Sequence, residues 1–95
     1  MIHVAVLSVR LDLPGVHSLK QKRGIIKGLL ARVQNRFQLA VAEVGQQDVW
    51  QTADLAFAAV GNEVAVLQSR MQKVAEFIET DAEGVVVDFR VEFLA

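Results

Sequence analysis

The period of the apolar positions switches between two and about 3.6 along the chain, and each switch marks an element. Residues 2–13 alternate, with Ala5, Leu7, Val9, Leu11 and Leu13 on one face and Ser8, Arg10 and Asp12 on the other, the pattern of a half-buried strand. Pro14-Gly15 stops it. Ser18, with Gln21 three residues later, fits a capping box, and Leu19, Ile26, Leu29, Leu30 and Val33 recur at helical spacing through Asn35. Phe37, Leu39 and Val41 alternate again, Gly45-Gln46-Gln47-Asp48 reads as a turn, and Val49 to Val60 is a second β run, which predicts a hairpin. Gly61-Asn62 ends it, with Asn62 placed to cap a second helix. That helix carries a stripe of Val64, Leu67, Met71, Val74 and Ile78 and ends near Asp81. A last strand follows, with Val85, Val87, Phe89, Val91 and Phe93 inward and Asp88, Arg90 and Glu92 outward.

The order β-α-β-β-α-β, with two right-handed crossovers around a hairpin, predicts an α+β, ferredoxin-like sandwich. It comprises a four-stranded antiparallel sheet of order 4-1-3-2 with two helices on one face, in a single domain over 1–95. The other sheet face then receives Ile2, Val4, Val6, Ala40, Ala42, Ala56, Ala58 and Val60, clustered at one end. Apolar patches of this kind on small domains mark interfaces, which predicts a homo-oligomer packed through the open face, with Val4 and Ala58 among the contacts.

Composition narrows the chemistry. There is no cysteine, which excludes disulfides, thiolate metal sites and thiol catalysis. His3 and His17 lack ligand spacing, so neither a metal nor another cofactor is expected. The longest apolar run, Leu55 to Val60, is far short of the roughly 20 residues of a spanning helix. With no secretory pattern at the N-terminus, the expectation is a cytoplasmic protein without membrane contact.

The net charge of −1 argues against a general nucleic-acid binder, but the charges are segregated. Leu13 to Ala42 carries Lys20, Lys22, Arg23, Lys27, Arg32 and Arg36 and no acid, whereas most acids follow from Glu43 onward. Projected at 100° per residue, Lys20, Arg23 and Lys27 share one flank of the first helix and Arg32 and Arg36 the other. Gly24, Gly28 and Ala31 lie between them. A mid-helix glycine costs about 0.8–1.0 kcal/mol relative to alanine, and close approach of a phosphate backbone or another helix would account for two of them. No aromatic interleaves the stripe, so base stacking is not indicated. Lys22 falls inside the apolar sector and needs a partner there; Glu43, on the helix-facing parity of its strand, is predicted to supply a structural ion pair. Asp48, Trp50 and Gln51 follow the hairpin turn, and Trp50, at an open-face position, is a candidate anchor for a partner. Asp12, His17 and Ser18 resemble a triad in composition only, since Ser18 serves better as a helix cap and nothing orients His17.

Leu13-Pro14-Gly15, the run Ser18-Leu19-Lys20-Gln21-Lys22-Arg23, Arg36-Phe37, Ala42-Glu43-Val44 and Gln47-Asp48-Val49-Trp50-Gln51 resemble the YlxP-like family of small bacterial proteins. The resemblance runs essentially end to end. It implies a ferredoxin-like fold and a bacterial cytoplasmic setting. Members are often encoded beside transcription and translation factors, including a ribosome-maturation factor, which points to RNA or ribosome association. Gln46 departs from relatives that often carry another polar residue, such as His, in this hairpin. Three functions are compatible with these features. The first is a non-enzymatic accessory factor that binds structured RNA or a ribosomal particle through Lys20, Arg23, Lys27, Arg32 and Arg36. The second is a homo-oligomeric interaction module using the open sheet face with Asp48, Trp50 and Gln51. The third is a small-ligand site or enzyme at the end that carries Asp12, Lys22, Glu43, Asp48 and Gln51.

Overall fold

Unbroken alternation makes one long strand of β1 (His3–Asp12), and that strand organises the sheet. The computed structural model describes residues Met1–Ala95. After β1 come α1 (Leu19–Phe37), β2 (Ala40–Gly45), β3 (Thr52–Gly61), α2 (Val64–Asp81) and β4 (Val85–Phe93). The sheet order is β2-β3-β1-β4, antiparallel throughout, which is the ferredoxin-like arrangement that the pattern predicts. β1 pairs with β3 from His3↔Gly61 to Asp12↔Thr52 and with β4 on its other side. The inward side chains Ala5, Leu7, Val9 and Leu11 are fully or nearly fully buried, as are Ala53, Leu55, Phe57 and Ala59 of β3. α1 packs over β2, and α2 covers β1, β3 and β4. Ile26, Leu29 and Val33 of α1 and Leu67, Met71, Val74, Ala75 and Ile78 of α2 complete one contiguous core. Each of these side chains larger than alanine contributes on the order of 1.5–3 kcal/mol by leaving water.

The helix ends are set by local chemistry. Ser18 Oγ accepts from the Gln21 amide at 3.1 Å, and Gln21 Oε1 reaches back to accept from the His17 amide at 3.1 Å, a reciprocal cap that occupies both residues. α1 stops at Gln38, whose backbone is left-handed (φ 54°) and whose amide still donates to the Gln34 carbonyl. Phe37, expected to open the following strand, is therefore the last helical residue. The cap of α2 also differs from expectation: Glu63, not Asn62, occupies the position, and no side chain caps the helix. Here the amide of Leu67 bonds the Glu63 carbonyl, so the hydrogen-bond ladder starts one residue later than the Asn62 signal suggests.

Two bulges shift the side-chain parity at the sheet edges. Between Arg10↔Asp88 and Leu11↔Val86 one extra residue, Val87, enters β4. Val86, rather than Val85 or Val87, then packs against the core, and Val85 and Val87 are exposed. A second bulge, at Val44, precedes the hairpin. Here β2 ends at Gly45 and β3 starts only at Thr52, later than the Val49 start that alternation suggests.

Gly84, just before β4, is a position where only glycine fits. A Cβ there would collide with the Asp12 carbonyl oxygen and lie 2.7 Å from Leu13 Cδ2. Gly84→Ala must displace backbone, and a loss of about 2 kcal/mol in urea unfolding is expected. A midpoint equal to that of the unmodified chain would contradict the close approach.

Candidate functional site

The capped start of α1 turns Lys22 inward, and its side chain is only 1% exposed. Such an ammonium must find acceptors inside the protein. Nζ lies 3.0 Å from Glu43 Oε2 and donates to the backbone carbonyl of Gln46 at 2.5 Å. Glu43 reaches it because the pairing Glu43↔Leu55 puts both on the helix side of the sheet. The predicted Lys22–Glu43 pair is thus present. Although Oε2 is buried, no donor is aligned with it in a hydrogen bond, so at 3.0 Å the attraction is that of charge on charge. Gln46 has a left-handed backbone (φ 58°), and its carbonyl also accepts from the amide of Val49, closing the turn.

The same end is stapled by Gln51. Its carbonyl accepts from the Leu13 amide at 2.9 Å, and its Nε2 donates to the carbonyls of Val16 (3.1 Å) and Pro14 (3.4 Å). Trp50 is not on an open-face strand position; it lies in the hairpin loop, 48% exposed, because β3 has not yet begun there. His17, Asp48, Val49, Trp50 and Gln51 line one side of this end as an open cleft of about 490 Å³. Gln51 is therefore committed to holding two loops together, whereas Asp48 and Trp50 face solvent. No group of three or more His, Asp or Glu side chains converges.

The structure divides the basic stripe of α1 into two halves with different work. Arg32 Nε donates to Asp81 Oδ2 of α2 at 2.6 Å. The Arg36 guanidinium stands 5.1 Å from the Phe77 ring centroid, where Phe37 and Phe77 meet edge to face. Both arginines therefore join α1 to α2. Lys20, Arg23 and Lys27, on the opposite flank, are exposed and make no ion pair. Arg23 and Lys27 border a groove of about 480 Å³ between α1 and β2, with Ile26, Leu30, Ala31 and Val41 forming its apolar part and Glu43, the partner of Lys22, at its wall. Along the strip between the flanks, a Cβ at Gly24 would meet nothing within 4 Å, and one at Gly28 would meet only the end of Arg32, at 3.1 Å. Packing within the chain requires neither glycine.

The open sheet face is split as well. At one end the rows Val60–Val4, Ala40–Ala58–Val6 and Ala42–Ala56 give the small apolar patch that the sequence predicts. Ile2 lies outside β1 and is exposed. At the other end Arg10 binds Asp54 across the strands with two hydrogen bonds, of 2.7 and 3.0 Å. This pair was not read from the sequence, although the register Arg10↔Asp54 follows once the hairpin is placed. The Arg10 hydrogen bond holds the Asp54 carboxyl below its ordinary range against the opposing effect of burial, helped by the charges of Arg10 and Lys22. The same hydrogen bond raises Arg10 further. Asp88 and Arg90 complete a polar cleft with them.

The family described as "Protein of unknown function (DUF503)" matches residues 4–91 of this sequence. The chain belongs to the DUF503 family. The curated "Uncharacterized protein YlxP" of Bacillus subtilis (strain 168) is 39% identical over 66 residues, 70% of this chain and 72% of that protein. The YlxP-like resemblance thus holds. Among solved structures, the "De novo designed protein Foldit4" aligns with all of this chain and 98% of its own, at a TM-score of 0.58 and 10% identity. That likeness concerns the fold alone.

In this DUF503 chain, Lys22→Ala leaves a carboxylate and the Gln46 carbonyl without their shared cation. Because Glu43 retains some access to water, the expected loss lies at the lower end for a broken buried pair, about 3 kcal/mol. Replacing both partners, Lys22→Met with Glu43→Leu, should recover part of it. Urea midpoints check both, and a loss below about 1 kcal/mol for Lys22→Ala would show a pair of surface strength.

Proposed function

We propose that this protein is a non-enzymatic accessory factor that docks on structured RNA, as in a ribosomal particle, through Lys20, Arg23 and Lys27 of α1. The observation that carries this reading is the flank itself: three exposed cations without acidic partners, in a chain whose net charge is −1. Gly24 supports it, since a helix gives up about 1 kcal/mol there and open space lies above the backbone. The bare backbone at Gly24 lets a phosphate backbone come close while the flanking cations reach its oxygens. With no aromatic on this flank, recognition rests on phosphates and shape instead of stacked bases. Arg32 and Arg36 drop out of the contacting set because α2 already employs them. The setting beside translation factors that the YlxP-like resemblance implies points the same way.

A second reading is a homo-oligomer packed through the open sheet face, favoured by the uncovered rows of Val4, Val6, Ala40, Ala42, Ala56, Ala58 and Val60. On that reading Ala58→Glu yields monomers in light scattering, and a dimer that persists in this variant counts against it.

For the principal reading, the measurement is co-sedimentation with ribosomal subunits and with their naked RNA across a salt series. Three phosphate contacts predict that log affinity falls with log salt at a slope of roughly −2 to −3. Reversing Lys20, Arg23 and Lys27 together to glutamate should abolish binding while leaving the thermal transition nearly in place. Unimpaired binding by that variant refutes the proposal.

A further inference from the structure

β4 is an unpaired edge of the sheet, and it is unusually apolar for one. Phe89 and Phe93 remain 38% and 36% exposed although they face the helix layer, and Val85 and Val87, at and beyond the bulge of the same strand, are exposed as well. Edge strands are blunted by proline, lysine, brevity or a bulge; β4 has neither proline nor lysine over its nine residues, and its one bulge, at Val87, precedes the regular stretch Asp88–Phe93. The orientation of its free backbone groups follows from the ladder. The Leu94 amide donates to the Val4 carbonyl at 2.9 Å, and the register runs without a shift from Ala5↔Phe93 to Arg10↔Asp88. By antiparallel alternation Asp88, Arg90 and Glu92 direct their amides and carbonyls at β1, and Phe89, Val91 and Phe93 direct theirs outward.

The exposed segment reads Phe89-Arg90-Val91-Glu92-Phe93, a palindrome about Val91 in which the two charges are of opposite sign. We propose that a second copy of this chain pairs antiparallel along β4 about a two-fold axis at Val91, forming one continuous eight-stranded sheet. In that register Val91 faces its own copy, Phe89 faces Phe93 twice on the helix side, and Arg90 faces Glu92 twice on the open side. The outward amides and carbonyls of Phe89, Val91 and Phe93 all find partners. Neighbouring registers fail. An axis at Arg90 sets arginine against arginine and Asp88 against Glu92, like charges directly opposed. An axis at Phe89 brings the bulged Val87 into the new ladder opposite Val91. Within one chain Arg90 Nε and Glu92 Oε1 sit 3.3 Å apart with side chains 72% and 52% exposed, so both are free to exchange partners across the axis.

The absence of cysteine makes the test clean, because Val91→Cys introduces the sole thiol. The axis places the paired Cα atoms about 5.5 Å apart, within disulfide range. Mild oxidation should give a covalent dimer, whereas Gln72→Cys, on the exposed face of α2, should not. Since Val91 is half-buried, charge variants at exposed positions provide an independent arm, read by sedimentation equilibrium. Arg90→Glu and Glu92→Arg should each weaken the dimer by roughly tenfold or more. The double swap Arg90→Glu with Glu92→Arg should restore it, and Ala58→Glu should leave it intact. A chain that stays monomeric throughout the concentration series overturns the proposal, as does a dimer indifferent to both single reversals but dispersed by Ala58→Glu.

Discussion

The amino group of Lys22 has almost no access to water, and one end of the domain is arranged around its need for acceptors. Three separate pieces of chain meet there: the first turn of α1, the last residues of β2 and the carbonyl of Gln46 in the hairpin. None of them would hold this geometry alone. A left-handed backbone at a residue other than glycine costs roughly 1–2 kcal/mol, and Gln46 bears it where its carbonyl serves both Nζ and the turn amide of Val49. Gln51 adds a second tie, from the hairpin to the Pro14–Val16 loop. The docking angle of α1, and with it the direction in which the exposed flank points, rests on these few polar contacts as much as on the core.

The two arginines of α1 that the sequence groups with the other cations show how helix periodicity can mislead about function. Periodicity places Arg32 and Arg36 on a flank, but only the packing of α2 reveals that this flank faces another helix. Asp81 and Phe77 receive them. Such contacts are individually worth about 1 kcal/mol or less at partly exposed positions, enough to hold side chains without dominating stability. What remains available to a partner is narrower and better defined than the stripe suggests.

Much of the architecture is legible in the alternation of β1 and the stripes of the helices, because one-sided burial imposes those periods directly. The Lys22–Glu43 pair is legible for the same reason: a cation in an apolar sector and an acid of inward parity have few other places to go. Errors gather where a single residue changes the count. Val87 enters β4 as a bulge, so Val86 takes the inward place assigned to its neighbours. Gln38 ends α1 through a left-handed turn without glycine, which hides the boundary and moves Phe37 into the helix. Trp50 belongs to a loop because β3 starts late, and that depends on the bulge at Val44 and the turn at Gln46. A carbonyl used as an acceptor leaves no trace in residue type, so the role of Gln46 could not be read in advance.

The strand order has a consequence for valency. α1 lies over β2, at the opposite edge of the sheet from β4. Whatever engages the cations of α1 therefore does not compete for space with whatever adds to β4. In a sheet doubled through β4, the outermost strands of the two copies are seven inter-strand steps apart, roughly 34 Å along the sheet. Two identical basic flanks would then be carried at the ends of one rigid bar. A ligand with phosphates at that spacing would meet the second flank at the high effective concentration of an intramolecular contact.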